Sequence, residues 1–510
     1  MSAEQSLRTS AGQGLIWGVA FNLGRDVVQF VSMLFLVRLL TPQIYGQFAL
    51  AQAIQLFLAV VSFKTIAPFA LQARDPSQFD WNTHFSAGVT LNAVIMTVTL
   101  LIAGGIYTLG GEQLQTVAFV LAIMSFGFPI EVMSTHYFTW LQAHHLWQRM
   151  RTLLFFGAVL ASLAAVFLAA AGGGILALAV GNFLFVLPLI ADYFIRKPFP
   201  LRFRPAWFRE YGEGRKYGLN RIAAGSLHTG SALAEHSVLS GVFGFSTLGI
   251  YTRAIGLAQI TSGRIGPVVT QALYPVLTRA EPSSEQFRRF SGILFQGALW
   301  TTAPAAVFLG LEASNIVRVL YGEQWSDVVP LMGAAAALLA LRGLHLTMNQ
   351  IMLANLQQRD CLRLDLVTAV TMLTVIITAV AFGPLIYLTA LGVHAALVLT
   401  GTVWVASHGG AIWGRVAAGR MMACGGALLM ASSAAFAMPL DLGRSGAIIA
   451  LIAEIAARGA VFSIVYVAGL RLLAPRSFSS LLDVLPLPKR VSNFIRIVTL
   501  IPRSSDSMKM

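Results

Sequence analysis

The stretch Gly14–Gly46, GLIWGVAFNLGRDVVQFVSMLFLVRLLTPQIYG, decides the fold class. Its first part, 14–37, is long enough to cross a bilayer core, which takes about 20 mostly apolar residues as a helix. Inside it Asn22, Arg25, Asp26 and Gln29 are spaced i, i+3, i+4 and i+7, so all four share one helical stripe amid Phe, Leu and Val. A charge in mid-span costs about 2.5–3.5 kcal/mol on insertion scales, so this stripe must face protein or a wet interior, not lipid. Arg25 and Asp26 are adjacent and do not make an ideal pair, which leaves bonding for another helix or a solute to complete. Residues 1–10 are short and polar and the apolar run exceeds a signal-peptide core, so the span reads as a signal anchor.

The rest of the chain repeats the pattern. Of 510 residues only 11% are charged, against roughly 25% in an ordinary soluble protein. With 56% apolar residues and a mean hydropathy of +0.73, disordered chains and disulfide scaffolds are excluded, leaving an all-α polytopic membrane protein. Fourteen apolar stretches are bounded by charge or by Gly and Pro: 14–37, 44–63, 85–106, 115–138, 152–170, 174–195, 217–241, 246–274, 290–311, 327–353, 366–383, 387–406, 421–439 and 446–470. Gly and Pro in the last four leave twelve spans open as the alternative. Basic residues gather on one side of this topology, and the other side holds only Arg38, Arg318 and Arg444. Both termini are therefore expected in the cytoplasm, and the net charge of +14 is topology, not a nucleic-acid footprint. Cys361 and Cys424 have no pairing or metal-ligand spacing and read as core thiols.

An internal repeat orders the spans. Leu39–Ala51, LLTPQIYGQFALA, aligns with Val242–Ala254, VFGFSTLGIYTRA, at an offset of 203, which lays Tyr45-Gly46 on Leu248-Gly249. Two six-helix lobes follow, 1–195 and 217–406, of parallel orientation because an even number of helices returns the chain to its starting side. A basic linker, 196–216, joins them. Phe203, Trp207, Phe208 and Tyr211 are expected to seat it at headgroup level, where it is either a topology-setting linker or a dock for anionic headgroups. Residues 407–470 add two helices, and 471–510 form a basic cytoplasmic tail mixing Leu, Val and Ile with Lys and Arg.

Further charges interrupt the later spans. Arg221, His228 and Glu235 recur every seven residues in the seventh, so that helix too should line an interior, with Glu235 and His228 candidates to hold a proton or cation. Arg253 and Arg264 lie three turns apart in the eighth, and Arg342 stands in the tenth. Five arginines against Asp26 and Glu235 point to an anionic solute, since the guanidinium fork binds phosphate oxygens bidentately and never deprotonates. Glu454 and Arg458, i and i+4, pair with each other as structure. No phosphate-binding GxxxxGK[ST], HExxH or clustered metal ligands occur, and the outer loops are short, the longest near Glu312–Ser326.

Gly14–Gly46, together with LGIYTRA (Leu248–Ala254), ALYPVLTRA (Ala272–Ala280) and VLYGEQW (Val319–Trp325), resembles the bacterial polysaccharide transporters, the O-antigen (Wzx-like) flippases of the multidrug/oligosaccharidyl-lipid/polysaccharide superfamily. The resemblance implies two six-helix lobes around a cavity, alternating access, and two extra helices. It also implies a cargo, a glycan on undecaprenyl pyrophosphate moved from the cytoplasmic to the outer leaflet of the inner membrane. The expected partners are that lipid-linked glycan, membrane lipids and other polysaccharide assembly proteins, with no nucleic acid. No cofactor is expected, and coupling would be to H+, Na+ or the membrane potential. Arg25, Arg221, Arg253, Arg264 and Arg342, with Asn22 and Gln29, are the expected substrate contacts, and Asp26, Glu235 and His228 the expected ion-coupling groups. A drug or cation antiporter of the superfamily should show more carboxylates than arginines, and a membrane glycan polymerase should show a carboxylate site beside a sizeable loop.

Overall fold

The computed structural model describes residues 3–73, 75–205, 211–260, 277–438 and 448–484, the side chains of 3–20, 220, 223, 224, 227, 228, 260, 480 and 482–484 excepted. Every regular element among them is a helix, as a chain must be when lipid offers its backbone no hydrogen-bond partner. Eleven helices are long and apolar enough to cross a membrane, and a bent pair, 42–59 with 63–72, would make a twelfth. By that measure the described residues do not reach fourteen spans. The first expected span lies on a 37-residue helix, α1 (Ala3–Leu39), and the seventh and the described part of the eighth, 246–260, fall on one element whose course breaks at Gly244, while 261–274 of the eighth lie outside the described residues. The chain divides into two compact units, Met1–Ile250 and Tyr251–Met510. That division falls inside the expected second lobe, not at the 196–216 linker.

In the first unit α2 (Pro42–Ala59) starts with proline in the first turn, where its missing N–H costs nothing. It bends by 50° into α3 (Phe63–Ile66) and a 3-10 turn, 67–72. α4 (Trp81–Leu109) opens on Asp80, whose carboxylate accepts from the amides of Asn82 at 3.1 Å and Thr83 at 3.0 Å. α5 (Glu112–Ser125) and α6 (Gly127–Ala143) are one span interrupted at Phe126. Asn92 of α4 ties the two interrupted spans together. Its Oδ1 accepts from the Phe63 amide at 2.7 Å and its Nδ2 donates to the Phe128 carbonyl at 2.8 Å, so two backbone groups find a partner where bilayer core would supply none. α7 (Trp147–Ala170) and α8 (Leu176–Arg196) approach so closely at Gly157 that a Cβ there would strike the Phe185 carbonyl. α9 (Gly212–Ile260) lays Gly218, Gly225 and Gly230 toward Ile66, Val60 and Phe57, which is why its first part belongs to this unit.

The second unit contains α10 (Glu285–Leu311), capped by the Ser284 hydroxyl, which accepts from the Phe287 amide at 3.1 Å. α11 (Ala313–Leu320) occupies the stretch expected as the longest outer loop. That loop expectation is corrected: Val317, Tyr321 and Trp325 are buried, so the segment folds onto the bundle. α12 (Val329–Ala354), α13 (Gln358–Ala379) and α14 (Pro384–His408) follow. The last four apolar stretches, whose Gly and Pro left a re-entrant hairpin open, fall on four helices, α13 and α14 and then α15 (Gly414–Phe436) and α16 (Ile448–Leu473). Ala423, Ala427, Ala431 and Ala435 form a buried small-residue stripe on α15, and Gly469 of α16 rests against Ala427. α17 (Pro475–Val484) docks the start of the tail on α10, with Gln296 donating to the Ser477 carbonyl at 2.8 Å and Trp300 stacked on Phe478.

Candidate functional site

The expected stripe of α1 is split between two tasks. Phe21 meets Phe155 edge-on at 5.9 Å, Gly24 makes room for the same ring, and Ser32 donates to the Ser162 carbonyl at 3.4 Å, so α1 packs along α7. Asn22 joins that seam by accepting from Arg151 Nη1 at 2.7 Å. Arg25 and Asp26 sit beside it, half-buried, with Nη2 and Oδ1 3.4 Å apart, a loose pair of 30% and 27% side-chain exposure. The buried Nε of Arg25 has no hydrogen-bond partner. Gln29 is exposed. An inner-span guanidinium whose donors are largely uncommitted is a costly feature with a ready use, the binding of a phosphate or carboxylate.

On α9, Arg221 is exposed and Glu235 buried, and the side chain of His228 lies outside the described residues. His236 Nδ1 pairs with the Ala49 carbonyl at 3.3 Å. In the second unit Arg253 is half-buried on the same helix, and Arg264 lies outside the described residues. Arg342 of α12 is half-buried, its Nη2 3.9 Å from Met372 Sδ, with no acidic partner among the described residues.

The two copies of the repeated motif meet in the first unit, reciprocally. A Cβ on Gly46 would run into the Phe245 carbonyl, and a Cβ on Gly249 would run into that of Pro42. The 203-residue offset turns one pairing into the other, carrying Gly46 to Gly249 and Pro42 to Phe245, as in a contact between two copies related by a two-fold axis. The backbone breaks match too. Thr41, extended at φ −81° and ψ 158°, precedes α2, and Gly244, at φ 82° and ψ 170°, interrupts α9 203 residues later.

Several polar groups escaped sequence reasoning. His84 and His136 are fully buried in a box of aromatic rings, with ring centres 5.6 Å apart. Tyr211 of the linker shares a hydrogen bond of 2.6 Å with His84 Nδ1, and burial pushes its phenol up from its ordinary range, so it stays neutral. The linker is thus anchored on α4 through Tyr211 and on α6 through Phe199, which stacks on Trp81 and meets His136 edge-on at 5.3 Å, while Phe203 stays exposed. Trp207 and Phe208 lie outside the described residues. Asp192 of α8 takes Arg149 in a two-point ion pair and the Tyr137 hydroxyl at 2.6 Å. An open hollow of about 650 Å³ lies alongside, lined by Trp147, Arg149, Asp192 and Arg196. Arg458 does pair with Glu454, at 2.9 Å, but also reaches Glu312 at 3.3 Å, which the sequence had placed in a loop. Cys361 and Cys424 are free and buried, as expected of core thiols.

The class of protein follows from the fold. A solved structure described as the lipid II flippase MurJ in an inward closed conformation superposes with a TM-score of 0.70 at 10% identity, over 88% of this chain and 98% of that one. An inward-facing multidrug resistance MATE family transporter of the MOP superfamily superposes at 0.58 and 13% identity, over 76% and 95%. This is a multi-pass membrane protein with the fold of that superfamily. The model of the family described as polysaccharide biosynthesis protein matches residues 35–330, more than half of the chain, and the chain belongs to that family. It is similar to the succinoglycan biosynthesis transport protein ExoT of Rhizobium meliloti (strain 1021), 23% identical over 329 residues, 63% of this chain and 64% of that protein. It is also similar to the lipopolysaccharide biosynthesis protein WzxC of Escherichia coli (strain K12), 22% identical over 118 residues, 23% of this chain and 24% of that protein. The matched stretch thus spans less than two thirds of either relative's own length.

Proposed function

We propose that the protein is a flippase that carries an anionic, lipid-linked oligosaccharide, of the undecaprenyl-pyrophosphate type, from the cytoplasmic to the outer leaflet of the bacterial inner membrane by alternating access. The observation that carries this reading is Arg25, half-buried in the middle of an apolar helix, loosely held by Asp26 and with an uncommitted Nε. A pyrophosphate needs such a group, because its oxygens match the guanidinium fork and its charge cannot enter the bilayer unaccompanied. Arg221, Arg253, Arg264 and Arg342 are proposed to serve the same headgroup, and Asp26, Glu235 and His228 to respond to a driving ion. Both termini are proposed to face the cytoplasm. Family membership supports a role in polysaccharide assembly.

Arg25→Ala is expected to abolish surface-polysaccharide export at an unchanged membrane level of the protein, and Arg25→Lys to restore part of it, because an ammonium keeps the charge without the fork. Full export by a normally inserted Arg25→Ala protein would contradict the role. Altered susceptibility to cationic drugs with normal export would favour the antiporter.

A further inference from the structure

We infer that the faces of α12, α13 and α14 hold a proton-binding site, built from Asp365 and His345 with Asn349 and Thr402. Its use in driving transport rests on the function proposed above; the proton binding does not.

Arg342, His345 and Asn349 are spaced i, i+3 and i+7, on one face of α12. From the 355–357 turn at the end of α12, at about 1.5 Å per residue, Asp365 lies roughly 10 Å and His345 roughly 14 Å into the helices. The bonding sets the tautomer of His345 and leaves Asp365 free to take either charge state. Thr402 Oγ1 donates to the Val398 carbonyl at 2.7 Å, so toward His345 Nδ1, 3.0 Å away, it can only accept. Nδ1 therefore bears the hydrogen, and Nε2 is left as the basic nitrogen. One turn along the same face, Asn349 Nδ2 donates to Asp365 Oδ1 at 3.3 Å, while Asn349 Oδ1 is buried without a partner. A rotated amide offers that oxygen to a protonated carboxyl, so Asn349 suits both states of Asp365. Deeper in, Thr371 donates to the Val367 carbonyl at 2.7 Å and accepts from His394 Nε2 at 2.8 Å. That leaves His394 Nδ1 basic, on the helix pair where Arg342 reaches Met372.

One turn before Asp365 on α13, the Cys361 thiol faces the same site, reaching the Asn349 carbonyl at 3.9 Å; the other charges on the surrounding elements are engaged or sit at helix ends. Arg288 donates to the Gly410 carbonyl, Arg363 pairs with Asp360, Arg318 with Glu323, and Glu312 with Arg458. Glu285, Arg289, Arg359, His408 and Arg415 lie within the first or last turns of their helices, and Arg420 lies against Gly292. Asp365 is exposed on the helix surface and His345 half-buried, and neither has an ion-pair partner among the described residues, so no fixed countercharge holds either one in a single charge state. The ligand is a proton and not a metal cation. Imidazole nitrogens beside a guanidinium make a poor site for a hard alkali ion, and no group of three His, Cys, Asp or Glu occurs among the described residues. The proton comes from water at the loop end and takes the Nε2 lone pair or a carboxylate oxygen; it returns to water once transport has changed the side of exposure.

The test is infrared difference spectroscopy of the full-length protein in lipid nanodiscs, titrated with acid. A protonated-carboxyl band is expected that Asp365→Asn lacks. His345→Gln should move its midpoint to higher pH, since the imidazolium that opposes carboxyl protonation is gone. The same band in Asp365→Asn would overturn the site. In vesicles containing a lipid-linked oligosaccharide, a pH gradient should accelerate wild-type flipping, and Asp365→Asn should stay at the rate without a gradient. Gradient-driven flipping by Asp365→Asn would overturn the coupling role. A wild type that moves no glycan, with the band still lost in Asp365→Asn, would defeat the transport reading and leave the proton site standing.

Discussion

Gly46→Val and Gly249→Val are each expected to abolish export and to lower the melting temperature of the purified protein. At both positions the new Cβ would occupy space now filled by a backbone carbonyl, of Phe245 and of Pro42 respectively, and a carbonyl in a helix cannot swing aside as a side-chain tip can. The two helices must separate or strain, at a cost of about 1–3 kcal/mol for overpacking. Because the two contacts are two-fold mates in one seam, the double variant should cost less than the sum of the single ones. Gly241→Ala is the control, since a Cβ there meets nothing within 4 Å, and it should melt and export as the wild type does.

Arg458→Ala has the other large effect. Glu312 and Glu454 are almost wholly buried, and Arg458 bonds both, so truncating it leaves two carboxylates in a low-dielectric interior. Breaking a buried pair in this way costs about 3–5 kcal/mol, enough to lose most of the folded protein. Adding Glu312→Gln and Glu454→Gln to Arg458→Ala should recover much of the yield, measured by size-exclusion profile and thermal melt, because neutral amides need no countercharge. No recovery would mean that Arg458 acts through packing of its stem instead.

Spacing and composition made some of this legible and left some hidden, for physical reasons. The α1 stripe could be read because a helix puts i, i+3, i+4 and i+7 on one face; that Asn22 serves Arg151 of α7 could not, since a residue's partner is a tertiary fact. The repeat was visible as an offset of 203, but only the backbone shows that its copies touch. Glu312 looked like loop polarity because a charge at the end of an apolar run is the ordinary sign of a boundary, and burial came from α16 packing across it. His84 and His136 are single residues in apolar stretches with no periodic partner. His345, Asp365 and His394 lie on three successive helices, α12, α13 and α14, and spacing along one helix does not say which of its faces meets the next. The boundary at Ile250 depends on the docking of α9 through Gly218, Gly225 and Gly230, glycines that hydropathy passes over.

On the proposed function, the protein moves an anionic lipid-linked glycan across the membrane. The most direct measurement is to extract carrier-bound saccharide from cells lacking the protein, identify it by mass, and assign its leaflet with a probe that cannot cross the bilayer. A completed oligosaccharide on its pyrophosphate carrier is expected, accumulated in the cytoplasmic leaflet and cleared when the wild-type protein, but not Arg25→Ala, is restored. The same saccharide found in the outer leaflet, or no accumulation at all, would contradict it.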